Sequence, residues 1–146
     1  MNNRIALTGD YFSLSQTIDD TDVDYNNFEI GTNIYFGKKG RGLYAGISYF
    51  SFDANGTFND VEFNDGSFGS GSGNIEFNTI NTKLGLKVGR VLYFRLEVGY
   101  SFGDIPEFIT VTGPNNTTAV EEIPEIPGIT TSGLPVFNIG FGFAFF

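Results

Sequence analysis

The chain has 146 residues, enough for one domain, and it contains neither cysteine nor histidine, which removes disulfides, thiolate metal sites and the commonest general base. Seventeen acids against eight bases give a net charge of −9, a balance that repels nucleic acid. No stretch approaches the roughly 18 consecutive apolar residues of a transmembrane helix.

In chain order, Met1 to Arg4 lead into no apolar run, so no secretion signal is read. The sequence is expected to be a mature form, with Met1 added or left by trimming. Six segments then alternate with period two, each near the 9 to 11 residues that a tilted strand needs to cross a bilayer. The first, residues 4–14, sets Ile5, Leu7, Gly9 and Tyr11 against Asp10. An acidic stretch, 19–24, follows as a modest loop. The second strand, 28–36, places Phe28, Ile30, Thr32, Ile34 and Phe36 opposite Glu29, Gly31, Asn33 and Tyr35. After a short turn at 37–42, the third, 43–52, aims Leu43, Ala45, Ile47 and Tyr49 at lipid, with Phe50 and Phe52 blurring its end. Residues 54–73 read as a long loop rich in Gly, Ser and Asn. Its Gly-rich part, 64–73, has no following helix and no Lys, so it is a surface loop and not a phosphate cradle.

The fourth strand ends in Ile80, Thr82, Leu84, Leu86 and Val88, alternating with Asn81, Lys83, Gly85 and Lys87. A three-residue turn, 89–91, leads to the fifth, 92–102, with Leu92, Phe94, Leu96, Val98, Tyr100 and Phe102 on one face and Arg95, Glu97 and Gly99 on the other. That turn predicts a register with Lys83 opposite Glu97 and Arg95 beside Gly85. Residues 103–131 read as the second long loop. Within it, 107–112 and 117–123 flank the turn-like Gly113-Pro114-Asn115-Asn116; they supply strands seven and eight of a barrel, or a hairpin above it, the other readings of six strands being an N-terminally trimmed barrel and a chain that completes its barrel with another chain. The last strand, 137–145, alternates Phe137, Ile139, Phe141, Phe143 and Phe145 with Asn138, Gly140, Gly142 and Ala144.

Abundant aromatics (17 Phe and 7 Tyr), 20 Gly and a near-neutral mean hydropathy fit strands that are apolar on one face only. The expected fold is therefore an all-β, antiparallel up-and-down transmembrane β-barrel, one domain over 1–146, with six clear strands and eight in total. Charge supports this topology. All eight bases lie in or near the half with short turns, whereas the long loops carry only acids, among them Asp60, Glu62, Asp65, Asp104, Glu107, Glu121, Glu122 and Glu125.

The C-terminal run Asn138-Ile139-Gly140-Phe141-Gly142-Phe143-Ala144-Phe145 resembles the outer-membrane β-signal: a polar residue (Asn138), a glycine two later (Gly140), and aromatics at the last and third-last positions (Phe145 and Phe143). Phe146 extends one residue past that pattern. As a pattern, the whole chain resembles small OmpA-, OmpX- and OmpW-like bacterial outer-membrane barrels. This resemblance implies location in the bacterial outer membrane among lipid and lipopolysaccharide, and insertion by the barrel-assembly machinery.

Two clusters invite a chemical reading. The inward set Asp10, Glu29, Lys83, Lys87, Arg95 and Glu97 is expected to be a paired charge network filling the lumen, because eight strands leave room only for side chains. Outer-membrane acyltransferases, deacylases, phospholipases and proteases resemble one another in needing His, so no catalytic residue is assigned and no enzyme is expected. Asp20, Asp22 and Asp24 resemble the start of a calcium loop but lack its glycine and distant Glu. They are a solvated acidic turn first and a Ca²⁺ ligand set second, with a looser Ca²⁺ or Mg²⁺ bridge to lipopolysaccharide phosphate as a further option. Three functions follow. The first is a non-enzymatic outer-membrane barrel whose acidic loops bind at the surface or organise the membrane. The second is an accessory subunit of a larger outer-membrane complex, met through its aromatics or the Ile123-Pro124-Glu125-Ile126-Pro127 strip. The third is a soluble lipocalin-like ligand-binding barrel.

Overall fold

The computed structural model describes residues 4–18, 21–37, 40–122 and 130–143, which form one antiparallel sheet of eight strands with almost no helix. The strands are β1 (Ile5–Ile18), β2 (Thr21–Tyr35), β3 (Gly42–Glu62), β4 (Phe68–Gly89), β5 (Leu92–Phe102), β6 (Phe108–Thr112), β7 (Thr118–Glu122) and β8 (Gly133–Phe143). Six follow the path β1-β2-β3-β4-β5-β8, each antiparallel to its neighbour. The sheet is not closed: β1 and β8 are its edges, and no pairing joins them among the described residues.

Strict alternation of branched and aromatic residues with small or polar ones predicts β5 to the residue, and the segments flanking the turn at 113–116 match β6 and β7 to within one residue at each end. Strands six and seven do not join the wall, however. They form a hairpin around a 3-10 turn at Pro114–Asn116 and meet β4 only at Ser72↔Thr112 and Gly73↔Val111, beyond the point where β5 has ended. The wall therefore has six strands, and the total of eight is reached by an added hairpin.

The expected loop at 54–73 is mostly strand. β3 and β4 run on as a long ribbon, through Ala54↔Ile75 and Gly56↔Gly73 to Glu62↔Phe68, with a bulge between Phe58 and Val61 where Asp60 adopts φ 58°. Glycine here signals close packing and not a loop: a Cβ on Gly71 would press on Val111 and Phe63, and one on Gly73 on Ile109. The acidic loop is likewise strand from Thr21 onward, since Thr17↔Asp22 and Ser15↔Asp24 continue the β1–β2 ladder. In the β4–β5 hairpin the register differs by two residues from the expected one. Gly89, at φ 109°, pairs with Tyr93, so Lys83 faces Gly99, Glu97 faces Gly85 and Arg95 faces Lys87. A slip of two preserves every side chain's face.

Burial divides the sheet into two zones. Over its lower part the outer face of the six wall strands is mostly apolar and exposed, for example at Leu7, Ile30, Ile47, Leu84, Val98 and Phe141, and the inner face is mostly polar: Glu29, Asn33, Ser48, Asn81, Lys83, Glu97 and Ser101 are buried there beside Tyr35 and Tyr44. In the upper extension, built from the β3–β4 ribbon and the β6–β7 hairpin, Val61, Phe63, Ile109, Val111 and Ala119 form an apolar core, with Phe58 and Ile75 packed against it.

Candidate functional site

The inward face of the lower zone carries the network. Lys83 on β4 donates to Glu29 on β2, across the intervening β3, and its Nζ lies 3.6 Å from Glu97 Oε2. Ser48 on β3 donates to the same Glu29 oxygen. Glu97 on β5 is the hub: Tyr44 Oη donates to its Oε1 at 2.6 Å, Asn138 Nδ2 to its Oε2 at 3.1 Å, and Arg95 Nε lies 3.7 Å away. Arg95 Nη2 in turn donates to Asp10 Oδ1 at 3.2 Å.

This pattern depends on sheet curvature and on missing side chains. Glu29 and Lys83 sit on strands that are not neighbours, so only a tightly coiled sheet brings them together. Gly85 leaves the space that the Tyr44 ring fills on its way to Glu97, and a Cβ there would collide with the ring. Gly46 does the same for Asn33, and Gly142 for Tyr93. Glu97 is 1 % exposed, and burying a carboxylate costs several kcal/mol unless charges and donors surround it, which is what Lys83, Arg95, Tyr44 and Asn138 supply. Asp10, Glu29 and Glu97 balance Lys83, Lys87 and Arg95 in number, so the inward face is formally neutral.

Of the predicted inward set, five residues come together. Lys87 stands apart: it lies over the Tyr93 ring at 4.0 Å, with Arg95 as its cross-strand neighbour, near the turn at the lower rim. Sequence reasoning missed Tyr44, Ser48 and Asn81. Inward parity marks all three, but only the register shows Tyr44 facing Gly85 and Asn81 facing Ser101, which donates to it.

Above the network the inward face turns aromatic. Phe12 meets Tyr25 edge-on at 5.6 Å, Tyr25 meets Phe52 at 5.0 Å, and Phe52 stacks on Phe77 at 4.7 Å. Phe50 and Phe52, whose side was unclear from alternation, therefore point inward. They separate the charges from the apolar core of the extension.

Asp20, of the proposed calcium set, lies outside the described residues. Asp22 and Asp24 occupy alternate positions on β2, Asp22 accepting from Thr17 Oγ1 at 2.6 Å, and no cluster of three metal-ligating side chains exists among the described residues. Of the β-signal set, Asn138 is held by Glu97, Gly140 lies beneath the Arg95 side chain, Phe143 is exposed on the outer face, and Phe145 lies outside the described residues. Residues 123–127 do so too. No family model matches the chain, and neither a curated protein nor a solved structure is similar enough to count as a match.

Proposed function

We propose that the protein is a non-enzymatic β-barrel of a bacterial outer membrane, embedded through its lower zone and presenting the acidic extension for surface binding or membrane organisation. The observation that carries this reading is the abrupt change on the outer face. Along β4 the outward residues are Val88, Leu86, Leu84, Thr82 and Ile80, then Asn78, Glu76, Asn74, Ser72 and Ser70; along β3 they change from Leu43, Ala45, Ile47 and Tyr49 to Ser51, Asp53, Asn55 and Thr57. β1 and β2 change after Tyr11 and Phe28, which pair with each other, two residues further along the register than Tyr49 and Ile80. Aromatic residues (Tyr11, Phe28, Tyr49 and Phe102) border the band as they do at a membrane interface. The eleven residues of β5 span about 33 Å of strand, or about 25 Å of height at a tilt of roughly 40°, the height of an outer-membrane apolar band.

A soluble barrel binding an apolar ligand would be apolar inside, and the buried Glu29, Lys83, Glu97 and Asn81 count against that alternative. The described charges support an orientation: Arg4, Arg41 and Arg90 lie at the short-turn end, and Asp53, Asp60, Glu62, Asp65, Glu76, Asp104, Glu107, Glu121 and Glu122 at the other. That acidic end faces outward in this reading, where divalent cations would bridge it to lipopolysaccharide phosphate or a partner would be met. Glu29 and Glu97 are saturated by donors, which suits a structural lumen better than proton transfer. The test is folding into detergent or lipid vesicles followed by gel electrophoresis with and without boiling. Heat-modifiable migration and flotation with vesicles are expected; a monodisperse, folded protein without detergent would overturn the proposal.

A further inference from the structure

The edges of β1 and β8, unpaired among the described residues, are chemically conspicuous, because unsatisfied backbone groups do not persist against lipid. Two independent features indicate how they meet. First, Arg95 on β5 faces Gly140 on β8, and a Cβ on Gly140 would touch Arg95 Nε at 3.3 Å and Nη2 at 3.6 Å. The guanidinium thus lies across the bare backbone of β8 and ends on Asp10 of β1, 3.2 Å away. A side chain that crosses one strand to reach the next places Asp10 level with Gly140.

Second, the outer apolar band drifts along the strands. Its upper border is Tyr11 on β1 and Phe137 on β8, yet the register carries Phe137 through Val98, Leu84, Ala45 and Ile34 to Ile5, not to Tyr11. The drift over five steps is thus from residue 5 to residue 11, and a sixth step brings the stagger to about seven. Inside-outside alternation requires an even value, so six or eight is allowed. The Arg95 contact selects eight: Gly9 leads through Ile30, Tyr49, Ile80 and Phe102 to Gly133, and pairing Asp10 with Gly140 returns Gly133 to Thr17.

We infer that β1 and β8 close the sheet of this same chain in one register, Asp10 beside Gly140, with Arg95 reaching over β8 as the latch. All eleven residues of β8 then find partners between Leu7 and Thr17. A stagger of eight over six strands tilts them by roughly 40°, the tilt assumed above for the membrane band. The inference rests on the membrane reading for its driving force and for the band drift, and on the Arg95 contacts for the choice of register.

The absence of cysteine makes the test clean. Ser13→Cys/Phe137→Cys and, as a second pair in the same register, Leu7→Cys/Phe143→Cys are folded into vesicles and oxidised. Both should form an intrachain disulfide, roughly ten-fold more than Ser13→Cys/Ile139→Cys, because a two-residue slip moves the Cα atoms past the ~7 Å limit for bridging. Asp10→Asn should slow cross-linking several-fold and Asp10→Glu should not. A preferred link in the shifted pair, no link in either matched pair, or a link between two chains would overturn the inference; the last would assign the edges to a second copy. Vesicle flotation of the unmodified protein is scored separately. Flotation without the link removes only the closure, and the link in a protein that needs no lipid removes only the membrane reading.

Discussion

The lower zone and the extension share the strands β3 and β4 and have opposite chemistry. On β4, Lys83 and Asn81 point inward and Leu84 and Leu86 outward; a few residues further, Ile75 and Phe77 point inward and Asn74 and Glu76 outward. The backbone ladder continues unbroken through the change. Pleat and pairing are thus indifferent to which face is apolar, and the medium on each side decides it. The extension is built for water on its outside and holds together by an apolar core. The lower zone exposes an apolar outer face, which the proposed membrane reading sets against lipid, and holds together by charges and hydrogen bonds within.

Substitutions can break this contrast. The largest effect is expected from Glu97→Ala, which leaves Lys83 and Arg95 buried with half of their compensation; the loss should be about 3 to 5 kcal/mol, read as urea unfolding from vesicles. Phe63→Ala in the extension should cost about 3 to 4 kcal/mol by opening a cavity beside Val111. Here hydrogen exchange should accelerate in residues 58–75 and 108–122 while protection in the lower zone persists. Val98→Arg on the outer face should cost about 2 to 4 kcal/mol in a bilayer, whereas Asn74→Arg, on the outer face of the extension, should stay within about 0.5 kcal/mol.

The smallest effect concerns the β3–β4 tip. Asp65 accepts from the Ser67 hydroxyl at 2.6 Å and from its N–H at 2.9 Å, and these bonds hold its carboxyl below the ordinary 3.8. A depressed carboxylate contributes order above its unfolded value and loses it as pH falls through the folded one. Exchange at the Ser67 amide should therefore rise relative to its unfolded rate only at pH below 3.8, and Asp65→Asn should remove that dependence.

Alternation made the lower zone legible in the sequence. Leu92 to Phe102 fixes a strand and its faces without knowledge of any partner, and the lumen residues follow by parity. The ribbon at 53–78 is hidden because Gly69, Gly71 and Gly73 look like loop residues until Phe63, Ile109 and Val111 are seen packing over them. The Glu29–Lys83 and Asp10–Arg95 contacts were hidden for another reason: each joins non-adjacent strands, and curvature is not written in a period of two. The β4–β5 register shifted because a glycine at positive φ moved the turn to Arg90 and Val91.

The inversion along β4 is tested most directly by depth. In a protein without native cysteine, an environment-sensitive fluorophore at Leu86→Cys and another at Asn74→Cys are exposed in vesicles to quenchers attached to the lipid chains. Strong quenching at residue 86 and little at residue 74 is the predicted result. Equal quenching at both sites, or none at either, would contradict a lower zone built for lipid beneath an extension built for water.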